Sequence, residues 1–137
     1  MTETSNLKQE TRFRVAVLPG DGIGIEVIDA ALVGGMGFAP SADIGDNHAV
    51  FQPAHGTAPD ITGTGTANPV ATILSASMML EWLGVQHRNE AGHEASMLID
   101  SAVATTISDN QILTRDAGGT HDSEEVVRAV INAITDA

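Results

Sequence analysis

Short apolar runs that end at turn residues predict two strands. Residues 13–18 form a short run that is apolar apart from Arg14 and rich in β-branched side chains, and Pro19 follows them directly, which is typical of a strand buried on both faces. Residues 48–53 predict a second strand, because Pro53 stops its continuation. The intervening residues 33–46 contain glycines and a proline and are predicted to form a loop.

Apolar residues that recur at helical spacing predict four helices. Asn68 and Pro69 form a helix start, with asparagine as the N-cap and proline at the first helical position, and Gly84 is the expected stop of that helix. Asp122 with Glu125 three residues later resembles the capping box of another helix. The predicted helices lie near residues 25–32, 70–83, 90–107 and 123–134. Together with the strands, they predict an α/β fold that is rich in helix and has few strands.

Composition restricts the partners and the compartment. The chain has 137 residues, enough for one domain with a modest core. Its net charge of -12 argues against nucleic acid and against an anionic membrane surface as partners. The absence of cysteine excludes a disulfide, a thiolate nucleophile or a cysteine-bound metal. The polar N-terminus and the lack of a long apolar run predict a soluble, cytoplasmic protein.

Two glycine-rich segments could contact a ligand. The sequence GDGIG at residues 20–24 lacks the third glycine of the dinucleotide-binding fingerprint, so a tight strand-to-helix turn is the favoured interpretation. The sequence HGTAPDITGTGTANP at residues 55–69 offers a backbone that can lie against a flat ligand. Within it, Asp60 could accept hydrogen bonds from ribose hydroxyls and repel a 2′-phosphate, and the Asn68 amide could face an adenine edge. A long surface loop with a helix cap explains these residues at least as well.

Spacing alone assigns no catalytic or metal-binding set. His87 and His93 lie at a separation that does not place both imidazoles on one helical face. The aspartates form no close cluster of the kind that hard cations require, and no arrangement of serine, histidine and acid indicates a nucleophile. The histidines are therefore predicted to be solvated or structural: His48, His55, His87, His93 and His121.

Three segments resemble the isocitrate and isopropylmalate dehydrogenase family, most of all its NAD-dependent 3-isopropylmalate dehydrogenases. RVAVLPGDGIGIEVIDAAL is similar to the family's N-terminus, and VGGMGFAPSADIGDNHAVFQPAHGTAPDITGTGTANPVATILSASMMLEWLG to its C-terminal cofactor-binding segment. TRDAGGTHDSEEVVRAVINAI resembles the family's end. The resemblance extends from Arg14 to Ile134, and its most specific part is HGTAPDI with the following ANP. Ile25 departs from the pattern, since the family usually has proline after GDGIG.

The resemblance implies an adenosine-binding loop and NAD as the cofactor. Ile23 matches a residue beside the nicotinamide. Asp60 matches the NAD-specific members, whereas NADP-specific relatives carry a lysine and a tyrosine after the corresponding proline. The implied cofactor-binding residues are Ile23, His55, Gly56, Thr57, Ala58, Pro59, Asp60, Ile61 and Asn68. The binding of NAD is expected to be weak.

The resemblance also implies that a central domain is deleted. In the family that domain supplies the dimer contacts, the catalytic tyrosine and lysine, the substrate-binding arginines and the aspartates that hold Mg²⁺ or Mn²⁺. Here Val33 follows Leu32 directly, which joins the first predicted helix to the later cofactor-binding segment. No catalytic residue and no metal ligand is therefore expected in this chain.

These matches predict one truncated domain that is inactive alone. Residues 1–11 are expected to be a disordered tail, and residues 12–137 a single truncated cofactor-binding domain composed of 12–32 and 33–137. The parent enzyme is expected to be a homodimer that catalyses NAD-dependent oxidative decarboxylation of a 2-hydroxy acid, 3-isopropylmalate in leucine biosynthesis. Two alternatives remain open: a non-catalytic module that binds NAD, adenosine or a partner, and a deletion product without function.

Overall fold

A computed structural model of the chain describes residues 35–109 and 111–137. The predictions made for residues 1–34 lie outside that part of the chain, and they include the disordered tail, the first strand, the first helix and Ile23. The described residues contain a β-hairpin, three α-helices and several short turns of other helical types.

The hairpin consists of two short antiparallel strands, β1 (Pro40–Ile44) and β2 (Ala49–Pro53). Its register pairs Pro40 with Pro53 and Ile44 with Ala49, so both prolines lie at the end of the ladder, where a missing N–H is tolerated. The predicted strand at residues 48–53 is confirmed as β2.

The strand β1 corrects the prediction of a loop over residues 33–46. Its sequence PSADI has only one β-branched residue, so local propensity gives no strand signal. The strand forms because its backbone pairs with β2, and Gly45 closes the turn by donating its N–H to the His48 carbonyl at 2.9 Å. A contact between strands therefore decides this element, rather than the local sequence.

The first described helix, α1 (Val70–His87), begins where the sequence predicts and ends later. The Asn68 side-chain oxygen accepts the Val70 N–H at 3.0 Å, as its predicted capping role requires, but Pro69 precedes the helix and is not its first residue as predicted. The predicted stop at Gly84 is wrong, because the helix continues to His87 and ends at Arg88, whose φ of 52° lies in the left-handed region.

The second helix, α2 (Glu90–Ala104), follows α1 almost at once and packs against it. The Asn89 side chain accepts the Ala91 N–H at 3.1 Å and caps the helix start. A Cβ at Gly84 would lie 2.9 Å from the His93 backbone nitrogen, so this glycine permits close contact between the two backbones rather than ending α1. The predicted helix near residues 90–107 is confirmed, although its last part is a π-helical turn, Thr105–Asp109.

The third helix, α3 (Ser123–Thr135), closes the core. The predicted capping box is present, since Asp122 accepts the Glu125 N–H at 2.8 Å and Glu125 accepts the Asp122 N–H at 2.9 Å. The core that the three helices share is made of small side chains: Val70, Ala102, Val103, Val126 and Val130.

The hairpin packs on α1 and completes a two-layer arrangement of sheet and helices. Phe51 of β2 and Trp82 of α1 pack in a tilted arrangement, with ring centroids 6.0 Å apart and an angle of 55° between their planes. The described residues thus confirm the predicted class, an α/β fragment rich in helix with few strands. None of the helices within them has both the length and the apolar character that a membrane crossing needs.

Candidate nucleotide-binding site

The candidate site is the loop that connects β2 to α1, residues 54–69. We call residues 56–62 the loop tip and residues 65–68 the loop base. All residues of the tip are exposed, whereas the base includes half-buried residues beside the start of α1. The loop therefore has a free part and an anchored part, and most of the predicted cofactor-binding residues lie in the free part.

The tip is shaped by a strained residue followed by a single helical turn. Ala58 has a φ of 42°, in the left-handed region that favours glycine, and it directly precedes the 3₁₀ turn Pro59–Ile61. The Ile61 N–H closes this turn on the Ala58 carbonyl at 3.1 Å. Because strained backbone conformations concentrate at ligand sites, the geometry of Ala58 is compatible with a binding role for the tip.

Asp60 lies in the middle of that turn and is exposed. Within the described part of the chain, no hydrogen bond or ion pair involves its carboxylate. Four acceptor positions of an ionised carboxylate are therefore available to a ligand that offers hydroxyl groups.

His55 lies where the loop begins and has one nitrogen without a partner. Its Nδ1 contacts the Gly56 carbonyl oxygen at 2.9 Å, and since a carbonyl only accepts, Nδ1 donates and carries the proton. Its Nε2 is buried, and no group among residues 35–109 and 111–137 forms a hydrogen bond with it. In the neutral ring this nitrogen is an acceptor that a bound ligand or a water molecule can satisfy.

The loop base is held by Ser123, the first residue of α3. The Ser123 N–H and its hydroxyl both donate to the Gly65 carbonyl, at 2.8 and 2.9 Å, and the hydroxyl also donates to the Ala67 carbonyl. Thr64 adds a local bond, with its hydroxyl 2.7 Å from the Ile61 carbonyl oxygen. The base is thus tied to a helix that lies far along the chain.

Asn68 is the most constrained of the predicted site residues. Its side-chain oxygen accepts from Val70, as described for α1, and its Nδ2 donates to Oδ2 of Asp116 at 3.0 Å. The other Asp116 oxygen, Oδ1, accepts a hydrogen bond from the Thr114 hydroxyl at 2.5 Å. The amide is therefore held at both ends.

The structure places the predicted loop residues in one segment whose tip is exposed, with His55 and Asn68 half-buried, and it adds two residues that the sequence did not indicate. Asp116 and Ser123 bond to the loop from positions 48 and 58 residues later in the chain. The family resemblance of TRDAGGTHDS included both of them without giving either a role. Ile23 lies outside the described residues and has no observed place in the site.

The described residues do not fit a divalent metal ion. Among them, no group of three histidine, aspartate or glutamate side chains lies close enough to hold one. A close acid–base contact joins His93 Nδ1 of α2 to Glu81 Oε2 of α1 at 2.5 Å, and it supplies only two such groups. We therefore derive no metal-dependent step from these side chains.

Comparison with known proteins identifies the family. A protein-family model described as isocitrate/isopropylmalate dehydrogenase matches residues 28–134. The isocitrate/homoisocitrate dehydrogenase of Thermus thermophilus is 47% identical over 105 residues, which cover 77% of this chain and 29% of that protein. The homoisocitrate dehydrogenase of Methanocaldococcus jannaschii is 38% identical over 136 residues, which cover 97% of this chain and 36% of that protein.

A solved structure agrees with these sequence matches. A β-decarboxylating dehydrogenase of Thermococcus kodakarensis superimposes with a TM-score of 0.67 at 40% identity, covering 78% of this chain and 29% of that one. The chain spans about a third of the length of the curated relatives it matches. On the sequence matches and the shared fold, the chain belongs to the isocitrate/isopropylmalate dehydrogenase family.

Proposed function

We propose that this chain is the nucleotide-binding part of an NAD-dependent, β-decarboxylating dehydrogenase and that residues 55–68 bind the adenosine half of NAD. The observation that carries the proposal is the exposed turn Pro59–Ile61, which presents an unpartnered Asp60 carboxylate on a loop whose base is anchored. Functional groups are commonly carried by loops that a rigid scaffold positions. Residues 12–137 form the truncated cofactor-binding domain in this proposal.

Three loop residues have distinct roles in the proposed site. Asp60 accepts hydrogen bonds from the ribose hydroxyls and repels a 2′-phosphate, which favours NAD over NADP. The Asn68 amide faces the adenine edge. Nothing lies within 4 Å of a Cβ built at Gly56, so a ligand can approach the backbone there. The remaining contacts come from His55, Thr57, Ala58, Pro59 and Ile61, and from Ile23 near the nicotinamide.

The whole enzyme would oxidise a 2-hydroxy acid and decarboxylate the β-keto acid that forms, with 3-isopropylmalate in leucine biosynthesis as our proposed substrate. When NAD is bound, it supplies the acceptor for the hydride. The groups that move protons, bind the substrate and bind Mg²⁺ or Mn²⁺ belong, in this proposal, to a central domain that this chain lacks. We also propose that the chain is cytoplasmic. No catalytic step is assigned to a described residue, and the chain alone is proposed to be inactive.

The affinity for NAD should be low. The tip is exposed and its hydrogen bonds join only residues of the same loop, so binding must order it at about 1 to 2 kcal/mol per residue fixed. The nicotinamide end gains little from the described residues. We expect a dissociation constant in the high-micromolar to millimolar range, which corresponds to roughly -4 to -5.5 kcal/mol.

Titration of the labelled 137-residue chain with NAD, followed by NMR, tests the binding proposal. We expect the largest shifts at residues 55–68 and weaker effects with NADP. Shifts confined to residues elsewhere, or none at millimolar NAD, would contradict it. A parallel assay with 3-isopropylmalate, NAD and Mn²⁺ should produce no NADH, because the loss of each transition-state group typically costs a factor of hundreds or more. NADH formation by protein free of host enzyme would refute the proposed inactivity.

A second candidate function is a module that works beside an intact subunit of the same family. The observation that favours it is a set of methionines exposed on α1 and α2, with Met79 39% and Met97 60% exposed, since flexible methionines are common at adaptable binding surfaces. Sedimentation of the chain mixed with an intact family member would show a complex if this function is correct. If the two proteins sediment separately, two interpretations remain: a chain that only binds NAD, and a deletion product without function.

A further inference from the structure

We infer that Asp116 is a positioning residue that fixes the orientation of the Asn68 amide and thereby makes the site select adenine over hypoxanthine. The inference rests on the proposed function, because it assumes that a purine base lies against Asn68. It goes further in naming a residue outside the loop and a specificity that this residue controls.

The partners of Asn68 determine which end of its amide is oxygen and which is nitrogen. The backbone N–H of Val70 can only donate, so the amide atom 3.0 Å from it is the oxygen. The Asp116 carboxylate can only accept, so the amide atom 3.0 Å from its Oδ2 is the nitrogen. A flipped amide would place nitrogen against the N–H and oxygen against the carboxylate, and both contacts would be repulsive.

Asp116 is itself fixed from two directions. Its Oδ1 accepts the hydrogen bond from Thr114, a residue only 1% exposed, and Asp116 itself is an exposed residue in the middle of the 3₁₀ turn Arg115–Ala117. The backbone of Gly37 lies directly against the pair, since a Cβ there would be 2.5 Å from Asp116 Oδ2 and 2.9 Å from Asn68 Nδ2. Three segments that are distant in sequence thus meet at this amide, and a different orientation of the amide would lose its hydrogen bonds to Val70 and Asp116.

The Asn68 amide that is held in this way offers a ligand a fixed pattern of hydrogen-bond donor and acceptor. After its two bonds, it retains one N–H and one oxygen lone pair. Adenine presents the N6 donor beside a ring-nitrogen acceptor, N1 or N7, which complements an oxygen and an N–H. Hypoxanthine has the O6 acceptor in place of the N6 donor, so the same amide would face an acceptor with its oxygen. A freely turning amide could adapt to either base, whereas the amide bonded to Asp116 cannot.

The test compares NAD with nicotinamide hypoxanthine dinucleotide, which differs only in that exocyclic group, by calorimetric titration of the full chain. The wild type should prefer NAD by about tenfold, the size expected for one well-placed pair of hydrogen bonds. Asp116→Ala should reduce the preference to about twofold or less, and Asp116→Asn, which keeps an acceptor oxygen, should restore most of it. Ser123→Ala is the matched control, because it loosens the loop base and should weaken the binding of both nucleotides by the same factor.

The outcomes separate the inference from the function on which it rests. If the wild type binds NAD and Asp116→Ala leaves the base preference unchanged, or if the wild type shows no preference, the inference is wrong and the proposed function stands. If the wild type binds neither nucleotide, both are wrong. Should Asp116→Ala fail to fold, Thr114→Val keeps the side-chain shape while removing one bond to Asp116, and an unchanged preference in that variant would equally overturn the inference.

Discussion

The tip and the base of the loop between β2 and α1 differ in what holds them. All residues of the tip, residues 56–62, are exposed, and its described hydrogen bonds join only residues of the loop, as between Ile61 and Ala58. The base, residues 65–68, is bonded to Ser123 and Asp116 and leads directly into α1. One short segment therefore contains both a free and a preformed half.

This difference separates affinity from selectivity in the proposed site. The half of the site that binds the adenine is already ordered, so it can discriminate between ligands without a further entropic cost of ordering. A ribose-binding half that must be ordered on binding reduces the affinity, at about 1 to 2 kcal/mol for each residue fixed. We therefore expect a site that binds NAD weakly and still distinguishes it from close analogues.

The largest expected effect concerns the helices that support the loop. Gly84→Ala would place a Cβ 2.9 Å from the His93 nitrogen and 3.1 Å from the Asn89 carbonyl oxygen, both backbone atoms that cannot rotate away. We expect a loss of about 2 kcal/mol in the free energy of unfolding, even though alanine is the better helix former. Urea denaturation measures the change.

Gly56→Ala in the loop tip is the control for that experiment. Both variants add the same methyl group, and nothing lies within 4 Å of it at Gly56. Its stability should change by less than about 0.5 kcal/mol. Equal losses in the two variants would show that the tip is packed as firmly as the helices, which would remove the distinction between the free and the supported regions.

Gly84 also shows where sequence reasoning about the fold reaches its limit. The start of α1 and the capping box of α3 were predicted correctly, because each depends on a few neighbouring residues. The role of Gly84 and the existence of β1 were not, since one depends on the approach of α2 and the other on pairing with β2. Local patterns do not contain such partners.

A smaller effect is expected from Ser123→Ala at the loop base. The variant removes hydroxyl hydrogen bonds to the Gly65 and Ala67 carbonyls, which should cost about 1 kcal/mol of stability. Amide exchange should increase in the loop base while the centre of α1 keeps its protection. An unchanged exchange pattern would contradict the view that α3 anchors this part of the loop.

The same residue illustrates how much of the candidate site the sequence could supply. The loop residues are contiguous, so their resemblance to a family segment proposed them all together. Ser123 and Asp116 contact the loop through the tertiary fold, and their separations of 58 and 48 residues from their partners in it leave no local signal. Sequence reasoning named the residues that we propose to face the ligand and missed Ser123 and Asp116, which bond to the loop base.

The smallest effect on stability is expected at Thr57 of the tip. Thr57 is exposed, and no hydrogen bond of its hydroxyl is present in the described part of the chain. Thr57→Ala should change the free energy of unfolding by less than about 0.5 kcal/mol, yet lower the affinity for NAD by about threefold through the loss of one ligand contact. Thermal denaturation and calorimetry would measure the two quantities, and a destabilised protein with normal NAD affinity would contradict the assignment of the tip to the ligand.

The central claim, that the loop tip binds the ribose of NAD through Asp60, is tested most directly by the ratio of NAD to NADP affinity. The wild type should prefer NAD by about tenfold, because the carboxylate repels a 2′-phosphate, and Asp60→Lys should abolish or reverse that preference. Asp43→Lys makes the same change in charge on β1, paired with Val50 near the hairpin turn and away from the strand end that leads into the loop, and it should leave the ratio within about twofold. A ratio that responds equally to both substitutions, or to neither, would contradict the account.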